Sequence, residues 1–295
     1  MSERVAATAT GDTHGWEPSD VQRDRDEWRR RRTLRSAVIA AGSTLLLLGA
    51  VGGGVVSSPG WDRVQETYFS WDKAVSSFPA VLEGLWLNIR VMAICWVLIL
   101  VLSLTVAIVR TLRGPVAFPL RLLGTAYVDV FRGLPLLLVI FLLGFGGPAL
   151  RLQGLPTSPL FWGCSALVLS YSAYVAEVFR AGIESVHPSQ RAAARSLGLT
   201  HRQTVRIVVL PQALRTVTPA LLNDFVALQK DVGLISVLGA IDAVRSAQIA
   251  VGQSFNFTPY VVAGLLFVLL AVSSARLADY VSARARRRQQ AGNLL

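Results

Sequence analysis

The chain alternates long apolar runs with short polar connections rich in arginine. A helix needs roughly 20 mostly apolar residues to cross about 30 Å of hydrocarbon, and six runs meet that length. The first is Ser36 to about Ser58, "SAVIAAGSTLLLLGAVGGGVVSS"; the second is about Leu85 to Val109, built on "VMAICWVLILVLSLTVAIV". The third, about Leu122 to Gly146, ends in "LPLLLVIFLLGFG", and the fourth is about Leu160 to Val178. A fifth, about Val208 to Leu238, is read as broken by Pro211 and Pro219 and carries Asn223, Asp224, Gln229, Lys230 and Asp231; the sixth is about Tyr260 to Leu277. The pattern predicts an all-α integral membrane fold with six transmembrane helices. The first run starts too late, and is too long, for a cleaved signal peptide.

One polar stretch departs from the pattern. "QRAAARSLGLTHRQTVRIVVLP", Gln190 to Pro211, lies between the fourth and fifth spans and carries four arginines and no acid. Pro188 suits the first position of a helix, and "SQRAAARSL" holds strong helix formers. Gly198 can take the left-handed conformation that ends a helix. Thr200 to Gln203 matches a capping box for a new one. The expectation is a short helix, a sharp turn, then a second helix entering the fifth span. The apolar face of the short helix is read as Ala193, Ala194 and Leu197. Such a helix is too short to span. It is either a surface linker with its arginines on lipid phosphates or a rigid docking element. A glycine stop followed directly by a cap favours rigidity.

Composition fits the spans. Apolar residues make up 53% of the 295 positions and charged ones 16%, against about 25% in soluble domains; mean hydropathy is +0.49. The net charge of +11, with 27 arginines among 29 basic residues, raises the question of nucleic acid. Placement answers it. With both termini inside, 21 basic residues fall in inner segments and four in outer ones (Arg63, Lys73, Arg151, Arg245), the bias that orients membrane proteins. No nucleic-acid partner is needed, and both termini are expected in the cytoplasm. Residues 1–35 are read as a disordered basic tail whose "EWRRRRTLR" meets anionic lipid or fixes topology. Residues 36–58 form an extra first span, 59–80 an external interfacial segment with Trp61, Tyr68, Phe69 and Trp71, 81–283 the core, and 284–295 a second basic tail.

Chemistry at the sequence level is mostly exclusion. Cys95 and Cys164 lie in separate apolar segments without metal spacing, and are read as inert buried thiols. His14, His187 and His201 fall outside the spans, and there is no His-Glu-x-x-His. No metal site and no catalytic residues are expected. Neither lysine follows a glycine, so there is no phosphate-binding loop and no cofactor bound by this chain. Glu177 and Arg180 read as a structural pair, with Arg132 at the inner margin.

"AAARSLG…VVLPQALRTVTP" resembles the cytoplasmic loop of permease subunits of bacterial ATP-binding-cassette importers, with Ala193, Ala194, Gly198, Leu210 and Pro211 at matching positions. "VFRGLPLLL" (130–138), "SAYVAEVFRAGIESVHPSQ" (172–190) and "LLNDFVALQKDVGLISVLG" (221–239) are similar to the polar amino-acid uptake branch. The likeness covers about Val81 to Ala283. It implies a plasma-membrane, multi-pass permease whose partners are ATPase subunits holding the ATP, an extracellular solute-binding protein and a second permease subunit, identical or sister. It implies a coupling loop of Arg191, Ala192, Ala193, Ala194, Arg195, Gly198, Leu199 and Pro211, with Pro211 as the joint between docking helix and span. The sequence departs from the pattern at Ala192, where glutamate is usual, at Ser189, where glycine is, and at Val232–Gly233 in the run after Lys230 and Asp231. The rival class is an ion-driven secondary transporter, which usually shows repeated broken helices; only one proline-interrupted span is visible.

Ionisable groups at membrane depth usually face a pathway or bundle interior. At about 1.5 Å per residue from Gln212, Asn223 lies roughly 17 Å in, near mid-membrane. Asn223, Asp224, Gln229, Lys230 and Asp231 are therefore the candidate substrate path, offering both signs to a zwitterionic polar amino acid. Lys230 and Asp231 are equally readable as a structural pair or as headgroup contacts.

Overall fold

The computed structural model describes residues 19–112, 114–151 and 153–292. Among them every regular element is helical. The chain divides into two units, at Arg63 and Val64.

The first unit is dominated by α1 (Asp20–Val56), 37 residues long. It corrects the reading of residues up to 35 as disordered: the part from Asp20 on is helical, while Met1 to Pro18, with Arg4 and His14, lie outside the described residues. Arginine and glutamate are good helix formers, Asp20 sits in the first turn, where a carboxylate suits the helix dipole, and the Arg32 guanidinium lies 5.0 Å from the Trp28 ring one turn back. No described residue of α1 is buried. Leu45 to Leu48 are exposed on successive faces of the helix, an apolar surface suited to lipid.

The boundary falls within the short α2 (Trp61–Tyr68); the second unit continues into α3 (Trp71–Thr111), far longer than the span read from hydropathy. Val91, Cys95 and Ile99 of α3, spaced by four, are buried on one face of the helix. They pack with Leu167 and Val175 of α6 (Pro159–Ser185) and with Leu228. Between lipid-embedded helices such contacts stabilise by close packing rather than by escape from water.

The third span is not one helix. It is α4 (Phe118–Gly133) and α5 (Leu136–Ala149), bent by 104°. Pro135 supplies no N–H, and a proline pushes the residue before it away from helical geometry; Leu134 is extended at φ −96°, ψ 136°. Five helices among the described residues are long and apolar enough to cross a membrane, and six if the bent pair counts as one crossing.

The fifth span corrects the sequence reading in the opposite direction. Neither Pro211 nor Pro219 breaks it. After α7 (Pro188–Ser196) come α8 (His201–Gln203), a wide π turn over Thr204–Val209, then α9 (Leu210–Asp231) and a tighter 3₁₀ segment, Val232–Leu238. A proline inside an α-helix clashes with the carbonyl four residues earlier. Here the ladder has already shifted, since the Leu210 N–H donates to the Val205 carbonyl five residues back. The proline is absorbed by a change of register rather than by a break.

α10 (Ala243–Ser254) was not foreseen; α11 (Thr258–Gly292) continues well past residue 284, where a separate tail was expected. α10 is pinned to α3 by a buried polar lock. Asp242, fully buried, caps α10 by accepting the Arg245 N–H at 2.9 Å. Its other carboxylate oxygen accepts from Asn88 Nδ2 at 3.0 Å, while the Ala243 N–H donates to Asn88 Oδ1 at 3.1 Å.

Burial pushes the Asp242 carboxyl above its usual range, opposed by the hydrogen bonds from Arg245 and Asn88. A raised folded value means the folded state holds the proton more tightly. That part of the stability is present below the unfolded carboxyl range near 4 and is lost as pH rises through the folded value. Asp242→Asn removes the charge and keeps one acceptor, so its thermal midpoint should show a flatter pH profile above about pH 4. Asp242→Ala removes the cap and strands Asn88, and should cost about 1–2 kcal/mol at every pH. Thermal unfolding of both variants across pH checks the order.

Candidate functional site

The Gln190–Pro211 stretch folds with the punctuation its residues predict. The Ser189 N–H donates to His187 Nδ1 at 3.2 Å at the start of α7. At its end Gly198 takes φ +82°, a conformation costly for residues with a Cβ. Leu199 and Gly198 donate their N–H groups back to the Ala194 and Arg195 carbonyls, at 3.2 and 3.0 Å. Thr200 then caps α8 reciprocally: its N–H donates to Gln203 Oε1 at 2.8 Å, and its hydroxyl oxygen accepts the Gln203 N–H at 3.3 Å. The stretch from Gly198 to Gln203 therefore satisfies two helix ends in one rigid corner.

α7 is held from below and bare above. The Arg191 guanidinium donates to the Ile183 carbonyl near the end of α6, and Ala194 is buried against the body. Ala192, Ala193 and Arg195 are exposed. The expected apolar face is corrected: Ala194 alone packs inward, whereas Leu197 is 83% exposed. Leu199 is half-buried in the corner. Beneath α7 a cleft of about 230 Å³ is lined by Arg191, Ala192, Arg195 and His201 with Thr204 and Val209, and no acidic residue forms part of its wall.

Just beyond lies a charge cluster that sequence reading reduced to one pair. Glu177 accepts from Arg180 at 2.8 Å, as expected, but also from Arg110 of α3, while Arg132 at the end of α4 stands 3.9 Å away. Arg180 also reaches Glu184 at 2.6 Å. Arg110 and Glu177 are 11% and 18% exposed, so the clasp ties α3 to α6 in a largely desolvated setting, with Arg132 of α4 at its exposed margin. The available signal was Arg110 and Arg180 just past the ends of two apolar runs, with Glu177 near the end of the second.

The candidate path residues do not converge on one point. Asp224 and Asp231, two turns apart, share one face of α9. Asp231 accepts the Tyr171 hydroxyl of α6 at 2.7 Å; one Asp224 carboxylate oxygen is buried without a partner. Gln229 stands nearly opposite, 2% exposed, and neither its amide oxygen nor its nitrogen has a partner. Asn223 and Lys230 are exposed, and among the described residues no ion pair joins Lys230 to Asp231. An unpaired buried amide costs about 1–3 kcal/mol, so Gln229 is a polar group that packing alone does not account for. Pro211 is the second residue after the π turn, following Leu210.

Comparison with known proteins follows this geometry. Residues 115–287 match the family described as binding-protein-dependent transport system inner membrane component. The arginine transport system permease protein ArtQ of Bacillus subtilis is 30% identical over 199 residues, 66% of this chain and 88% of that protein. The probable glutamine ABC transporter permease protein GlnM of the same organism is 36% identical over 187 residues, 62% and 83% of the two chains. A crystal structure of an amino acid ABC transporter with histidines superposes with a TM-score of 0.66 at 30% identity, covering 73% of this chain and 98% of that one. An inward-facing MetNI methionine ABC transporter, at 20% identity and TM-score 0.56, shares the fold.

Proposed function

Because the chain belongs to the binding-protein-dependent transport inner membrane components, we propose that it is the membrane-spanning permease of an ATP-driven importer of polar amino acids, coupled to its ATPase through the 188–211 loop. The relatives are named for arginine and glutamine transport, which supports the substrate class. They are subunits of ATP-binding-cassette systems, and nothing in them favours an ion-driven secondary transporter. ATP is held by partner ATPases and not by this chain. An extracellular solute-binding protein delivers the solute, and a second permease subunit, identical or sister, completes the pathway. Both termini lie in the cytoplasm, with the basic segments against anionic lipid.

The observation that carries the coupling role is α7 itself: a helix fixed by a backbone-satisfied corner and by Arg191, yet presenting Leu197 to solvent. An exposed apolar side chain on a rigid support suits a partner's pocket. Ala192, Ala193, Arg195, Gly198, Leu199 and Pro211 frame it. ATP-driven closure of the ATPases would then move α7 and, through α8 and α9, bias the spans between two access states. Asp224 and Asp231, which share one face of α9, line the solute's route in this reading, with Asn223 and Lys230 on the adjoining exposed stripe and Gln229 on the far face. A buried carboxylate oxygen without a partner, as on Asp224, suits transient contact with a passing polar solute.

Leu197→Asp tests the coupling. Membrane insertion and thermal stability should stay near wild type, because the side chain touches little. Co-purification of the ATPase and ATP-dependent amino-acid uptake in proteoliposomes should fall at least about tenfold, as for loss of an interface anchor worth about 2 kcal/mol. Undiminished ATPase binding would remove α7 as the socket. Uptake driven by a sodium or proton gradient in this chain alone would overturn the importer reading.

A further inference from the structure

The two cysteines, set apart in sequence and read as inert, meet in the fold. Cys95 of α3 and Cys164 of α6 belong to one packed cluster, and their side chains are close enough for the thiols to interact. Their surroundings differ. Cys95 is fully buried, whereas Cys164 is partly open. Cys164 lines a groove of about 630 Å³ between α3 and α6, whose walls are mostly apolar side chains such as Val91, Ile94, Leu98 and Val168, with Arg90 also in its lining. Arg90 lies about 30 Å along α3 from Arg110, one hydrocarbon thickness, and Cys95 is five residues inside Arg90. The groove therefore opens sideways into one leaflet, near its headgroups. Both thiols are free.

We propose that Cys95 and Cys164 form an oxidation-responsive thiol pair, in which Cys164 reacts with a lipid hydroperoxide entering from the membrane and Cys95 resolves the product into a disulfide joining α3 to α6. In the first step the Cys164 sulfur attacks the peroxide O–O bond. The hydroperoxide is reduced to the alcohol, and Cys164 becomes a sulfenic acid. In the second step the Cys95 sulfur attacks the sulfenyl sulfur, the S–S bond forms, and the hydroxyl leaves with the Cys95 proton as water. Two thiols lose two electrons, and the hydroperoxide takes them up. An accessible sulfur beside a buried one is the arrangement of a reacting and a resolving cysteine, and attack at sulfur requires this contact. A water-soluble oxidant has no direct route to an apolar groove, so the pair is selective for oxidants that dissolve in lipid.

The full-length protein in nanodiscs, treated with cumene hydroperoxide, then unfolded in denaturing detergent and alkylated with a maleimide, tests the pair. The expected result is joint loss of both alkylatable thiols, their recovery with dithiothreitol, and a peptide linking Cys95 to Cys164 in the mass spectrum. In Cys95→Ser, Cys164 should stop at a sulfenic acid trapped by dimedone. In Cys164→Ser, Cys95 should stay alkylatable. The wild-type linked peptide stands as a test even if a variant fails to fold. A disulfide between two chains, oxidation of Cys164 alone, or two unreacted thiols would each overturn the proposal.

Discussion

Replacing Gly84 by alanine should displace α10 and abolish transport. A Cβ at Gly84 would lie 2.4 Å from the Asp242 carbonyl carbon, 2.5 Å from the Ala243 nitrogen and 2.6 Å from the Asp242 oxygen. All three are backbone atoms, so no side-chain rotation relieves the overlap. Ordinary carbon contacts need about 3.5 Å, and the helix start must retreat by about the difference. One turn further along α3, Asn88 holds Asp242 and the Ala243 N–H, and the retreat pulls that lock apart. Overpacking of this kind typically costs about 1–3 kcal/mol, with the exposed lock adding to it. A lowered thermal midpoint, new protease cleavage within 239–257 and loss of ATP-dependent uptake are the expected readouts. Gly264→Ala on α11, where a Cβ meets nothing within 4 Å, is the control and should behave as wild type. A stable, active Gly84→Ala protein would mean that α3 and α10 are not in register as described.

Glu177→Ala should be nearly as damaging, for an electrostatic reason. It leaves Arg110, 11% exposed, without its carboxylate and returns Arg180 to Glu184 alone. Removing one member of a desolvated ion pair costs on the order of 3 kcal/mol, much of it the stranded partner's charge. Arg132, 44% exposed and 3.9 Å away, contributes little, as surface pairs do. Glu177→Gln keeps the shape and one acceptor, so it should fall between wild type and alanine. The decisive comparison is Arg110→Leu with Glu177→Leu. If the clasp works as a unit, the double variant is less destabilised than the sum of the two singles. Simple additivity of their thermal shifts would show that the two residues do not act together.

Much of this was visible in the residues because it depends on local rules. The α7 corner follows from Pro188, Gly198, Thr200 and Gln203, four residues whose backbone preferences act within a turn of themselves. Span positions follow from run length. What stayed hidden depends on residues distant in sequence. Gly84 and Asn88 gain meaning only when Asp242, more than 150 residues later, arrives beside them, and nothing in "SVLGAIDAVRSAQ" marks its aspartate as a lock. Cys95 and Cys164 are neighbours only because α3 and α6 cross. The prolines misled in both directions. Pro135 bends a run whose hydropathy is continuous, because the extended residue before it has no compensating turn. Pro211 leaves the helix intact because the π turn just before it supplies the register change, and Pro219 lies inside α9 without interrupting it. A proline's effect is set by the ladder upstream of it, which the residue itself does not reveal. The outward turn of Leu197 was missed for a related reason: α7 docks through Arg191 and Ala194, and an apolar pattern alone does not say which face meets the body.

The helical path from His201 to Asp231 is unbroken, about 45 Å long at 1.5 Å per residue. Its two ends therefore share one set of mechanical degrees of freedom. A rigid rod of that length tilted by about 5° at one end sweeps the other by about 4 Å, the size of a methyl group. A displacement of the Thr200 corner is therefore carried to the carboxylate at Asp231: leverage is built into the covalent continuity of the rod.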